Sequence, residues 1–519
     1  MVSQDFPTTE ARGSDRTGVL IFIVSYNAEA TISQVLSRIP DHLFTDSTLY
    51  VEVLIIDDSS TDNTLQECSS LRRGDIEIPL TVLVNPKNLG YGGNQKLGYR
   101  FAIDRGFDVV CLVHGDGQYA PEELPRLLAP LLRREADAVF GSRMIKAGAA
   151  LDGGMPLYKF VGNKILSWLE NKIVGTKLSE YHSGYRLYST RALADLPFEF
   201  NSNGFDFDTD IIIQLHLGGF SIQELAIPTF YGTEISHVNG LQYGAKILVS
   251  CIQSRLQQLS LFYDRKFDLE VQNEQYRPKF DFSSSHQMSL EASEPTDRLL
   301  ILGCGSADLV APYANRCRHV TVVDQYVAPD LSKLAGTTLQ ADLNDFDFSD
   351  LPDGERYDKI LLLDIIEHLA SPEEFLERIH QTDQLQNATL VITTPNVVFL
   401  PIRLLFGLGF FNYGKRGILD KTHTRLFTFR SLAKLLEQSG FEVIESKGVP
   451  APYPLALGRN SNLAKILLRL NSLTSKIWKG PFSYQIYCEA RSVPTVSALL
   501  KKTIEYTAKH IRNQDTPLL

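Results

Sequence analysis

The sequence predicts an α/β protein of two domains, and three observations carry that reading. The chain has 519 residues, more than one ordinary core uses. Apolar runs of strand length alternate with stretches of helical length, and they do so in two separate series. A polar, weakly periodic stretch, "FDLEVQNEQYRPKFDFSSSHQMSLEASEPTD" (267–297), lies between the two series and reads as a linker.

The first series begins with "GVLIFIVSY" (18–26), a continuous apolar run of the kind buried on both faces of a sheet. A helix is expected over 28–39. "VEVLIID" (51–57) reads as a second strand, and "STDNTLQECSSLR" as a helix with Ser59, Ser60 or Thr61 as its N-cap. "LTVLVNP" (80–86), "VVCLVH" (109–114) and "DAVFGS" (137–142) continue the strands. The second series starts afresh with "RLLILGCGS" (298–306), "HVTVVDQ" (319–325), "YDKILLLDIIEHL" (357–369) and "ATLVITTPN" (388–396). Strands alternating with helices imply a parallel sheet in each half, with ligands at the carboxyl ends of the strands.

Composition excludes several classes. Apolar content of 44% with 22% charged residues describes a globular chain, and a net charge of −10 argues against nucleic acid as a partner. The six cysteines are scattered, which fits a reducing, cytoplasmic location. The N-terminal stretch has no apolar h-region, so no signal peptide is expected. "VVFLPIRLLFGLGFF" (397–411) is interrupted by Pro401 and Arg403, so no membrane-spanning helix is expected there or elsewhere. Two amphipathic stretches, 241–264 and the basic 462–480 with Trp478, suit either peripheral contact with the inner face of a membrane or packing on their own domain.

In the first half the strand ends carry polar motifs in sequence: "IVSYNAE", "IIDDSSTDNT", "NLGYGGNQKLGYRFA", "HGDGQYAPEELP" and "GSR…SGYR". Singly, each has a plain reading as a cap or turn. Together and in this order they resemble a family 2 glycosyltransferase of the dolichol-phosphate-mannose synthase type over about 18–265, which implies a GT-A domain. The resemblance places Asp58 on the base of a nucleotide-diphosphate sugar, with Tyr26 and Glu29 beside it. It places Arg143 and Arg186 on phosphates, where a planar guanidinium suits the geometry. It makes Asp116 the ligand of a Mg2+ or Mn2+ ion, with Gln118 as a second, neutral oxygen. His114 stands where the family has a first acid, so the site is expected to carry one less negative charge and to hold metal more loosely. "GFDFDTDIII" offers Asp206, Asp208 and Asp210, and Asp210 falls where the family has its acid, so it is the candidate base. A polyprenyl-phosphate acceptor, already an anion, would need no base. His237 in "PTFYGTEISHVNG" is a candidate phosphate contact beside the alternative of a surface histidine.

In the second half "ILGCGS" ends a strand in a glycine turn and Asp324 ends the next strand, the spacing at which an acid meets ribose hydroxyls. With "QADLND", "LLLDIIEHL" and "ITTPN" following in order, 298–450 resembles the class I S-adenosylmethionine methyltransferases. The resemblance places Gly303 and Gly305 against the methionine part of S-adenosyl-L-methionine, Asp324 on the ribose and Asp342 by the adenine; Ala307 stands near the family's third glycine. His423, in a segment similar to the acceptor region of sugar and quinone methyltransferases, is the candidate base. His368 is its rival, with "EHL" otherwise a structural turn.

The expectation is therefore two Rossmann-like domains: a GT-A domain over 18–265, a linker over 266–297, and a methyltransferase domain over 298–490. One would transfer a sugar with inversion to a polyprenyl-phosphate or glycan acceptor, and the other would methylate a hydroxyl, a sugar's in this reading. The competing expectation makes one domain a catalytically degenerate binding or scaffold module.

Overall fold

The computed structural model describes residues 16–70, 78–230, 240–269, 278–352, 354, 356–494, 500 and 503–504. His237 lies outside them. The chain divides into two compact units, Met1–Gln257 with Tyr263–Glu274, and Gln258–Phe262 with Gln275–Leu519.

The first unit is built on seven strands: β1 (Thr17–Ser25), β2 (Leu49–Asp57), β3 (Leu80–Val84), β4 (Val109–His114), β5 (Ala138–Ser142), β6 (Arg186–Ser189) and β7 (Ile222–Ala226). Their order is β3-β2-β1-β4-β6-β5-β7. The run 18–26 is apolar throughout because both its faces are covered. Val19, Ile21 and Ile23 enter one core layer and Leu20 and Phe22 the opposite one. On the second face the helix Tyr91–Asp104 lies so close that a Cβ on Gly98 would collide with the Phe22 ring. Glycine there is a packing requirement.

The expectation of an all-parallel sheet needs correction. β6 runs antiparallel to both β4 and β5, so the sheet is mixed. The helix expected from about residue 59 begins only at Thr64. The residues before it are drawn into a lattice with the end of β1. Ser60 Oγ accepts from Asn27 N (2.8 Å), Asn27 Oδ1 accepts from Thr61 N (2.9 Å), and Asp62 accepts from Glu29 N (3.2 Å). Side chains that would cap a helix are used to tie two turns together.

The second unit has β8 (Arg298–Leu302), β9 (His319–Asp324), β10 (Thr337–Gln340), β11 (Lys359–Leu363), β12 (Thr389–Pro395), β13 (Phe441–Val449) and β14 (Gln485–Ser492), in the order β10-β9-β8-β11-β12-β14-β13. β14 is antiparallel to β12 and β13, so this sheet is mixed too. Leu300 and Leu302 pack on one face, Leu299 and Ile301 on the other. The linker expectation is corrected for its described C-terminal part. Ser285–Glu291 is a helix capped by Ser284, and Phe280, Met288, Leu290 and Ala292 pack on the core of the second unit. Its period was hidden by small polar residues, Ser285, His286 and Ser289, that are themselves buried.

Among the described residues no helix is long and apolar enough to cross a membrane. The stretch 241–264 contributes the helix Gly240–Gln258, which buries Ile247 and Cys251 in its own unit while Leu241, Val249 and Ile252 stay exposed.

Candidate functional site

In the first sheet the direction of strand order reverses between β1 and β4, and an α/β sheet opens a crevice at the carboxyl ends on either side of such a reversal. Register brings three turns to that edge: Ser25 pairs with Asp57, and Val24 with His114. Asp58 N donates to Ser25 O (2.8 Å) and Gly115 N to Val24 O (2.9 Å), so the turns are anchored to one another.

Asp116 lies in the β4 turn and is exposed. Its one hydrogen bond among the described residues is from Gln118 N to Oδ1, at 3.0 Å. One carboxylate oxygen thus has no described donor, the condition a cation ligand needs. Gln118 is half-buried in the same turn. Tyr26 presents a ring that is 53% exposed at the end of β1. Glu29 is exposed and accepts from Asn63 N (3.1 Å) and Asn63 Nδ2 (2.9 Å), which makes it part of the turn lattice. Asp58 is buried and accepts from Asn85 Nδ2 (2.7 Å), Leu89 N (2.8 Å) and Gly90 N (3.0 Å). Its carboxylate therefore shapes the loop that leads into the helix Tyr91–Asp104.

Three of the expected site residues are buried and carry partners within the domain. Arg143 is 7% exposed, and Glu180 accepts from its Nε (3.0 Å) and backbone N (2.7 Å). Burial works against the Glu180 charge, yet the Arg143 guanidinium holds that carboxyl below its ordinary range. Arg186 is 1% exposed and donates to Ser183 O (2.8 Å), Tyr181 O (2.6 Å) and Asp208 O (3.3 Å). Neither fork is free for phosphate; both are spent inside the domain. Asp210 is fully buried and accepts from Ser202 N (3.1 Å), Ser250 Oγ (2.8 Å) and Lys266 Nζ (3.0 Å). Burial raises its pKa against the pull of Lys266. Both of its oxygens are thus engaged by groups of its own domain.

Asp208 is the acid that joins the turn residues. Two positions along a helix are rotated by about 200°, so Asp208 and Asp210 leave the helix Phe207–Leu217 on opposite sides. Asp208 accepts from Tyr91 Oη (3.1 Å) and lies 3.5 Å from an Arg186 nitrogen. Tyr91 Oη is in turn 3.5 Å from His114 Nε2. Burial lowers the His114 pKa, with Asp116 and Asp208 pulling the other way, so the imidazole is neutral at pH 7. His114 thus belongs to a polar cluster under the turn and does not replace the missing acid in charge.

In the second sheet the reversal lies between β8 and β11. The turn after β8 has Gly303 and Gly305 at φ +76° and +64°. A Cβ on Gly303 would strike Ile365, whereas Gly305 faces open space. Asp324, at the end of β9, accepts from Cys304 N (2.7 Å), Gly305 N (3.0 Å) and Tyr326 N (3.0 Å). Burial opposes its charge, but these donors hold its pKa below the ordinary value. The buried Ser306 hydroxyl beside the turn has no described partner. Asp342 is exposed and holds its own turn through Asn344 N (2.9 Å).

His423 and His368 meet edge to face, with ring centroids 4.8 Å apart. Burial and the neighbouring His368 lower the His423 pKa. Beside them lies Glu367, a residue the sequence reading left as a shaping group. It is 1% exposed, and burial, with Asp364 nearby, pushes its pKa well above the ordinary range. Burial of an acid in "EHL" has no local sequence signal, since the turn is covered by residues from a distant segment.

Comparison with known proteins agrees with both halves. The model for Glycosyl transferase family 2 matches residues 20–196, and that for a Methyltransferase domain matches 274–446. A UDP-N-acetylglucosamine–dolichyl-phosphate N-acetylglucosaminyltransferase of Methanococcus voltae is 26% identical over 250 residues, 46% of this chain and 96% of the relative. An undecaprenyl-phosphate mannosyltransferase of Micrococcus luteus is 29% identical over 222 residues, 42% of this chain and 85% of the relative. Glucosyl-3-phosphoglycerate synthase of Mycobacterium tuberculosis, solved with Mn2+ and UDP, is 19% identical with a TM-score of 0.35, covering 49% of this chain and 84% of that one. The chain is accordingly an enzyme in which a family 2 glycosyltransferase domain is followed by a methyltransferase domain.

Proposed function

We propose that the first domain transfers a sugar from a nucleotide-diphosphate sugar to a polyprenyl-phosphate or glycan acceptor, and that the second methylates a hydroxyl from S-adenosyl-L-methionine. The observation that carries the first half is the exposed Asp116 carboxylate at the sheet's reversal point, with one oxygen free of described donors. Asp116 and Gln118 would hold Mg2+ or Mn2+, which supplies positive charge where the departing nucleoside diphosphate gathers negative charge. Tyr26 offers an exposed ring face for the base, and Asp58 keeps the 85–90 loop in place beside it. A polyprenyl phosphate arrives as an anion, so the transfer needs no protein base. The engagement of Asp208 with Tyr91 and Arg186 fits a positioning role for that acid. Two similar proteins carry dolichyl phosphate and undecaprenyl phosphate in their names, which supports the same acceptor class here.

For the second half, the open space at Gly305, the donor-rich Asp324 and the unpartnered Ser306 hydroxyl support a cofactor at the glycine turn, with Asp342 in reach of the adenine side. Peripheral membrane contact is assigned to the helix Asn462–Ile477. Leu463, Ile466, Leu470, Leu473 and Ile477 are exposed along it, and Lys465, Arg469 and Lys476 accompany them without an acidic residue. Apolar side chains framed by cations suit an anionic bilayer surface, which supports a peripheral position on the cytoplasmic face.

A donor screen with purified chain tests the first activity by metal-dependent release of nucleoside diphosphate. Release that persists unchanged in Asp116→Ala would remove the metal assignment. The internal commitment of Arg143 and Arg186 favours one competing reading, a domain that binds donor without turning it over. That reading predicts calorimetric donor binding with no diphosphate released.

A further inference from the structure

The second domain stores a carboxylate that its own fold leaves unused. Neither oxygen of Glu367 has a hydrogen-bond donor among the described residues, although the side chain is almost completely buried. The Thr394 hydroxyl lies near enough to favour the charged form, yet it too lacks a well-formed hydrogen bond. Leaving such a group unpaired is costly, so its partner is to be sought outside the protein's own donors.

Two imidazoles face it. The ligand atoms of Glu367, His368 and His423 all lie within 4.8 Å of one another. His423 Nδ1 is 3.0 Å from Ile418 O and His368 Nδ1 is 3.3 Å from Thr422 O. A carbonyl only accepts, so each Nδ1 carries a proton, and in the neutral ring each Nε2 then offers a lone pair. A backbone carbonyl on the far nitrogen is the usual way a metal-binding imidazole is oriented. The two segments are also tied together. Thr424 N and Arg425 N donate to Glu367 O at 2.8 and 3.2 Å, and Thr424 Oγ1 donates to Leu369 O at 2.6 Å. Glu367 is buried, His423 half-buried and His368 exposed, so the cluster opens to solvent on one side.

We propose that Glu367, His368 and His423 bind one first-row divalent cation, Zn2+ or Mn2+, with coordination positions left open on the solvent side. Two imidazoles and one carboxylate form a donor set suited to such ions, and three protein ligands with open positions are the arrangement of catalytic sites. Liganding atoms around such an ion stand roughly 3.4 Å apart, so the widest pair closes by at most about 1.4 Å on binding. Within the methyltransferase reading, on which this role rests, the open positions would take the acceptor's oxygen, and His423 is then a ligand and not a proton acceptor.

The experiment uses the full chain carrying Asp116→Ala, so that the first domain's carboxylate does not contribute. Mn2+ is titrated by electron paramagnetic resonance and Zn2+ by competition with a chromophoric chelator, and S-adenosylmethionine binding is measured separately by calorimetry. One equivalent of metal is expected, with affinity falling tenfold or more in Glu367→Gln and in His368→Ala, while S-adenosylmethionine binding persists in both. His368 is exposed, so its variant serves if Glu367→Gln does not fold. Absence of a bound equivalent, or equal affinity in the variants, overturns the site. Metal binding that follows these residues in a chain without affinity for S-adenosylmethionine would support the site and refute the methyltransferase reading instead.

Discussion

The two sheets place their candidate sites at the same topological position and keep a carboxylate available in opposite ways. In the first domain Asp116 stays free by exposure, held only by one turn hydrogen bond. In the second, Glu367 stays free by burial without a donor. An exposed acid keeps its charge at little cost and binds a cation weakly, because water competes for both. A buried acid is costly to ionise, and a cation that reaches it gains the whole of the relieved penalty. Under the proposed roles, one fold position would serve a transient, substrate-linked metal in the first domain and a resident one in the second.

The strongest way to break the comparison is to test what the first domain spends its other charges on. Arg143→Ala leaves Glu180 buried without its counter-charge, held among the described residues only by Asn163 Nδ2 and the backbone N of residue 143, and about 3 kcal/mol of first-domain stability should be lost in urea unfolding. A phosphate contact would instead raise the KM for donor at unchanged stability. Asp116→Ala should lower metal-dependent diphosphate release roughly 100-fold, from a loss of several kcal/mol of charge stabilisation, with methyl transfer unaffected. Equal loss of both activities would mean that the two sites are not independent.

Acid titration sharpens the contrast. Burial pushes the His286 pKa down from 6.5 to about 4 in the second domain. Above pH 6.5 the ring is neutral in both states. As pH falls from 6.5 towards 4, the unfolded chain takes up the proton first, so stability is lost over that window and levels off below it. The loss should be about 3 kcal/mol. Hydrogen exchange of second-domain peptides across this range measures it, and His286→Gln should flatten the curve. The smallest effect belongs to Gly305→Ala. Its φ of +64° strains a side chain by about 1 kcal/mol, so urea unfolding should show a second-domain stability loss of that size.

Strand runs such as 18–26 and 298–302 were legible because a strand buried on both faces is apolar at every position. The turns that carry Asp116, Gly303 and Asp324 were legible because short motifs at strand ends keep their local geometry wherever the sheet goes. The antiparallel β6 and β14 were not, since their pairing is decided by chain segments far away in sequence. The same limit separates the site residues. Sequence placed Asp206, Asp208 and Asp210 together, and the family resemblance chose Asp210. Their surroundings rest on which helix face meets Tyr91 and which meets Lys266, contacts 117 and 56 residues away. Likewise an arginine reads as a phosphate ligand until a distant carboxylate such as Glu180 claims it, and Glu367 reads as a plain turn acid until residues 418–425 fold over it. The sequence by itself determined the class of each domain and the turns at the carboxyl ends of the strands that carry the candidate sites. Only tertiary structure decided which charges are free, because a charge is free or spent according to what long-range packing puts within about 3 Å of it.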